Sequence, residues 1–125
     1  MGGSNRFLAH LRREVRRGFL PWWVIERLAE GPAYGYELME RIGRELGPEF
    51  RVTPSTLYPT LARLRAAGLV RTFHGKVSAG PLRKYYELTD LGRESLPAMR
   101  AIWAQTARVP SVVSAVPSRP KGTES

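Results

Sequence analysis

The sequence predicts a mostly helical fold carrying one small β-hairpin, and three observations point to it. Apolar residues recur at helical spacing in one stretch after another. Two short runs rich in β-branched and aromatic residues, LVRTFH and KYYEL, flank a polar, glycine-rich loop. The chain has 125 residues and no cysteine, which suits one domain with a modest core. Disulfides, thiolate metal sites and cysteine nucleophiles are thereby excluded.

Residues 5–17 place Leu8, Leu11 and Val15 on one helical face and Arg12, Arg13, Arg16 and Arg17 mostly elsewhere. This predicts a short, basic amphipathic helix ending near Gly18. Its arginines could face phosphate, a membrane surface or solvent. A second helix is expected from Phe19, with Pro21 in its first turn and Gly31-Pro32 as terminator. Trp22, Trp23, Val24, Ile25 and Leu28 make it apolar nearly all round, so it should be deeply buried or shared with a partner chain. A third helix runs to Leu46 with Leu38, Ile42 and Leu46 inward, and Gly47-Pro48 ends it.

The fourth helix opens with Thr53 as N-cap and Pro54 as first helical residue, carries Leu57, Leu61 and Leu64 on one stripe, and stops at Gly68. Pro59 lies inside it and removes a backbone donor. The two strands and their basic loop follow as a hairpin. Thr89 should cap a last helix in which Leu96, Met99, Ile102 and Trp103 share a face, with Pro97 expected to kink or break it. From Val109 onward Pro, Ser and Val recur without a usable period, which predicts a disordered tail.

Helices joined by a short turn, then a further helix and a β-hairpin, make a winged helix-turn-helix. In that fold one helix enters the DNA major groove while the hairpin loop reaches the backbone or minor groove. The charge agrees. Residues 51–92 hold Arg51, Arg63, Arg65, Arg71, Lys76, Arg83 and Lys84 against Glu87 and Asp90, and no acid lies between Glu49 and Glu87. A basic stretch cleared of carboxylates favours a polyanion. On a helical wheel Ser55, Pro59, Ala62 and Ala66 lie opposite Leu57, flanked by Thr56, Tyr58 and Arg63. That outward face is small along its centre and hydrogen-bonding at its edges, as a helix seated deep in a groove requires. Arg63 has the fork geometry to pair with guanine. Lys76, Arg83 and Lys84 in the wing suit phosphate contact.

Three pieces at this spacing resemble the PadR-type transcriptional regulators: LAEGPAYGYEL (28–38), STLYPTLARLRAAGLV (55–70) and RKYYELTDLG (83–92). The resemblance runs from about Gly18 to Trp103 and is closest to the compact members of the family. It implies a homodimeric, ligand-responsive repressor that binds a palindromic operator through helix 54–67 and wing 71–86. It also implies a C-terminal helix packed on the partner's N-terminal helix. By position, DNA contacts fall on Tyr36, Ser55, Thr56, Tyr58, Pro59 and Arg63, beside Thr53 at the helix start, with Lys76, Arg83 and Lys84 on the backbone. Multidrug-sensing members line a central cavity with a tryptophan of the last helix. Here Trp103 matches, with Trp22, Trp23 and Met99 as expected neighbours; plain interface core is the other reading of Trp103.

The division this suggests is 1–17 as lead and basic helix, 18–88 as DNA-binding domain, 89–108 as dimerisation helix and 109–125 as tail. Partners would be double-stranded DNA, a second copy of the chain and a small aromatic effector. A protein-interaction module with an acidic partner is the alternative. An enzyme is not expected: Asp90 is the lone aspartate, His10 and His74 are far apart, and no nucleophile–base pair or phosphate-binding loop appears. No cofactor or metal site is indicated. No apolar run reaches the ~18 residues of a membrane span, so a cytoplasmic location without membrane contact is expected.

Overall fold

The computed structural model describes the backbone of residues 2–48, 52–76 and 80–115, and the side chains of 5–48, 52–76 and 80–109. Its elements are α1 (Gly2–Leu28), β1 (Ala33–Tyr34), α2 (Gly35–Leu46), α3 (Pro54–Ala66), β2 (Val70–Gly75), β3 (Arg83–Leu88) and α4 (Asp90–Ala115). The strands form an antiparallel sheet in the order β1-β3-β2. This is the winged helix-turn-helix arrangement, mostly helical with a small sheet.

The first two predicted helices are one. α1 runs unbroken for 27 residues through Gly18 and Pro21. Pro21 forfeits only the bond to the Arg17 carbonyl, and a mid-helix glycine costs about 1 kcal/mol. Against that, Leu8, Leu11, Val15, Phe19 and Trp22 keep one helical phase across the junction, and Leu20, Trp23, Val24, Ile25 and Leu28 are buried. Packing of that second half holds the helix through both residues.

α1 lies against α3, α4 and β3. Its buried residues meet Leu38 and Ile42 of α2, Leu57, Leu61 and Leu64 of α3, Val70, Tyr86 and Leu88 of the sheet, and Leu96 of α4. The inward stripes expected for α2 and α3 are therefore the core, although Leu46 is only partly buried. The two-residue β1 is not anticipated by the sequence patterns. It pairs Ala33 with Tyr86 and Tyr34 with Tyr85, fixing the start of α2 to the wing.

Thr89 caps α4 as expected. The Gly92 N–H donates to its Oγ1 at 3.1 Å, and the Thr89 hydroxyl donates to the Gly68 carbonyl. Gly92 is required there, because a Cβ would collide with the Leu69 carbonyl. Pro97, which is exposed, does not break α4, which continues to Ala115. Residues 109–115, expected in a disordered tail, are helical, and 116–125 lie outside the described residues. Arg100 grips Glu26 with two hydrogen bonds, at 2.8 and 2.9 Å, and so ties α4 to α1. That contact, followed by the indole of Trp22 and the charge of Arg27, holds the Glu26 carboxyl below the usual carboxylate range against an opposing effect of burial.

Candidate nucleic-acid interface

α3 buries Leu57, Thr60, Leu61 and Leu64 and exposes Ser55, Thr56, Tyr58, Pro59, Ala62, Arg63 and Ala66. The outward face read from the sequence is the exposed face of the helix. Thr53 has the extended backbone of an N-cap, but its hydroxyl makes no cap bond. It lies 2.8 Å from the Ser55 hydroxyl and 3.4 Å from that of Thr56. Three exposed hydroxyls thus gather where α3 begins. The helix continues through Pro59, and the Thr60 hydroxyl donates to the Thr56 carbonyl at 3.0 Å. Arg63 in turn donates to the Thr60 hydroxyl at 3.3 Å, which steadies its guanidinium at one edge of the exposed face.

The other edge meets α2 and the wing. Tyr36, Tyr58, Arg83 and Lys84 line a groove of about 370 Å³ between the start of α2, α3 and β3. Three separate sequence segments are brought together there. Gly35 makes this possible: a Cβ at that position would sit 2.7 Å from Tyr58 Cζ. The glycine lets the Tyr58 ring lie against the first turn of α2. That turn is fixed by Glu37, whose carboxylate accepts the Tyr34 N–H at 3.0 Å.

A second groove, about 510 Å³, runs along the same edge and is lined by Tyr58, Ala62, Arg65, Ala66, Lys84 and Tyr86. Arg65 was not among the residues expected at the site, although its position beside Tyr58 on the wheel could have found it. Burial, with Tyr58 adding to it and Arg65 opposing, pushes the Tyr86 phenol above its ordinary value. In the wing, Phe73 stacks on Tyr85 with centroids 5.3 Å apart, and the Arg83 guanidinium lies 4.6 Å over the Tyr34 ring. These contacts stiffen the hairpin and aim Arg83 beside α2. Lys76 is exposed where β2 ends, and the loop residues 77–79 lie outside the described residues.

The residues expected around an effector separate. Trp22 and Trp103 stack, with centroids 5.3 Å apart and 25° between planes, and Phe19 packs edge-on against both. Met99, one turn before Trp103, is partly buried against the core. Trp23 does not join them. It is buried on a different face of α1, where its indole N–H donates to Glu45 Oε1 at 3.0 Å and Arg27 lies 5.8 Å over its ring. Successive helical residues diverge by about 100°, so adjacent tryptophans could not both meet Trp103. Among the described residues no group of His, Cys, Asp and Glu is placed to hold a metal ion, and no helix is long and apolar enough to cross a membrane.

Residues 24–98 match the model of the transcriptional regulator PadR-like family. The chain belongs to that family. It is also 33% identical over 96 residues to the transcriptional regulator Rv3488 of Mycobacterium tuberculosis, covering 77% of this chain and 86% of that one. A PadR family transcriptional regulator from Eggerthella lenta superposes with a TM-score of 0.76 at 28% identity, covering 94% of this chain and all of that one. A PadR-like regulator from Bacillus cereus gives 0.73 at 25% identity, with 83% and 99% covered. As a PadR-family protein the chain is a DNA-binding regulator of transcription and not an enzyme.

Proposed function

We propose that this PadR-family chain is a ligand-responsive homodimeric repressor that reads a palindromic operator with one α3 per half-site. The observation that carries the reading is the exposed face of α3, small at its centre and edged by Arg63 on one side and Tyr58 on the other. An α-helix of ~10–12 Å diameter with side chains fits a major groove about 12 Å wide. The hydroxyls of Thr53, Ser55 and Thr56, together with Tyr36, Lys76, Arg83 and Lys84, then stand where phosphates pass. Family membership favours DNA over an acidic protein as the primary partner of this surface.

Dimerisation is supported by two apolar stripes that one copy leaves open. Leu8, Leu11 and Val15 of α1 are 46–48% exposed, and Leu91, Ile102 and Val109 of α4 are 50–59% exposed. Packing the stripe of α1 against a partner's α4 covers both, and a twofold dimer repeats the contact. The Phe19–Trp22–Trp103 cluster continues the α1 stripe where it meets α4, and its half-buried rings are the aromatic surface offered to an aromatic effector. The test is a titration of DNA from upstream of the chain's own gene. Arg63→Ala should weaken specific binding by roughly 1–3 kcal/mol and leave the dimer intact. Unchanged operator affinity would remove α3 as the reading element.

A further inference from the structure

A groove of about 380 Å³ separates the N-terminal half of α1 from the Arg63 edge of α3. Arg13, Arg16 and Arg17 line its α1 wall, and Thr56, Pro59 and Arg63 line its α3 wall. Glu14 is the one carboxylate in the lining, and it pairs with Arg17 at 3.6 Å. The groove therefore carries four arginines against one acid.

The helical phase explains why those arginines face this way. Arg13, Arg17, Leu20 and Val24 follow one another at i, i+4, i+7 and i+11, so they form a single stripe. In its second half that stripe is buried against the domain, with Leu20 and Val24 at 1% and 0% exposure. In its first half the same stripe carries guanidinium groups, exposed at Arg13 and Arg17, alongside α3. The apolar stripe of Leu8, Leu11 and Val15 lies on roughly the opposite side of the helix, so covering it with a second chain leaves the arginine stripe open.

We infer that Arg13 and Arg17, with Arg16 beside them, form a phosphate clamp that grips the DNA backbone on the side of α3 away from the wing. This rests on the reading of α3 as the helix seated in the major groove. A helix that fills the groove has a phosphate strand along each flank. The wing side offers Arg65, Arg83 and Lys84 to one strand, and the α1 groove offers its arginines to the other. α3 is thus held from both sides by cations on different elements. The clamp reads no bases; it adds affinity on any sequence and fixes the seating of α3.

The test is the salt dependence of operator binding by the full chain. Each phosphate contact contributes about 0.9 to the slope of log K against log salt. Arg13→Gln/Arg17→Gln should flatten that slope by about 1.8 and weaken binding to operator and unrelated DNA alike. Arg12→Gln/Arg44→Gln removes the same charge from positions outside the groove and should leave the slope at the wild-type value. Arg13→Lys/Arg17→Lys should restore it. An unchanged slope in the glutamine pair, or equal flattening in the Arg12/Arg44 control, overturns the clamp while leaving α3 as the reading helix. A wild-type chain with no salt-dependent DNA binding overturns both together. A second measurement needs no variant. Phenylglyoxal labelling of the wild-type chain, read by peptide mass spectrometry, should show Arg13 and Arg17 protected by DNA and Arg12 and Arg44 still reactive. Equal labelling of all four with and without DNA contradicts the clamp.

Discussion

Pro59 leaves the Ser55 carbonyl without its helical donor on the exposed face proposed to meet DNA, and α3 nonetheless continues to Ala66. The helix tolerates this because Pro59 is exposed, early in the helix, and opposite the buried leucines. Changing Pro59 to Ala should make α3 more regular and impair operator binding; an affinity equal to wild type reduces the proline to a tolerated irregularity. Gly35 has a sharper role, since any side chain there displaces the Tyr58 ring from the start of α2. Tyr58 is 43% exposed and can swing outward. Gly35→Ala should therefore keep its melting temperature within a few degrees of wild type while losing DNA affinity, read by thermal melts beside anisotropy titrations. Only the first of these two roles is legible in the sequence. The wheel places Pro59, whereas the need for glycine at 35 arises from a tertiary contact that no local pattern encodes.

The wing, α1 and α4 show where sequence patterns reach and where packing overrules them. In the wing, alternation and the glycine-rich loop mark both strands, and the six pairs from Val70↔Leu88 to Gly75↔Arg83 form the hairpin. Replacing Lys76, Arg83 and Lys84 by Ala should lower affinity for all DNA sequences and flatten the salt slope by about 0.9 for each phosphate no longer neutralised. A slope equal to wild type removes the wing from the contact surface. β1 is illegible because two residues carry no period. Gly18, Pro21 and Pro97 have the chemistry of helix breaks, yet each is passed: in α1 a local defect of a few kcal/mol is outweighed by the buried second half of the helix, and in α4 the exposed Pro97 is followed by the Arg100–Glu26 and Trp103–Trp22 contacts with α1. The arginines of α1 are legible as charge, but not as a wall facing α3. That placement depends on α1 being one helix, so that its basic half inherits the phase of its buried half.

At the scale of the molecule, the chain is a DNA-binding unit with two long helices whose outer apolar stripes are exposed and, in the proposed dimer, are covered by a second copy. Leu11→Glu or Ile102→Glu places a charge in the proposed interface and should shift the protein to monomer by light scattering; a persistent dimer would place the interface elsewhere. The Glu26–Arg100 clamp joins these helices within one chain. Because the Glu26 carboxyl is held below its ordinary value, its stabilisation is full above the carboxylate range and fades as pH falls through the depressed value. The melting temperature should therefore drop further between pH 7 and pH 2 in wild type than in Arg100→Gln, and equal drops would show that the clamp adds nothing. Aromatic compounds that enter beside Trp22 and Trp103 should change tryptophan fluorescence, whereas a flat response across a panel supports a purely structural stack. The central claim is that α3 reads sequence through its exposed face. Its most direct test is an anisotropy titration of wild type and Arg63→Ala on DNA from upstream of the chain's own gene and on a scrambled duplex of equal length. Wild type should prefer the natural sequence, and Arg63→Ala should lose most of that preference while still binding both. Equal affinity of the wild type for the two duplexes, or an undiminished preference in Arg63→Ala, would contradict it.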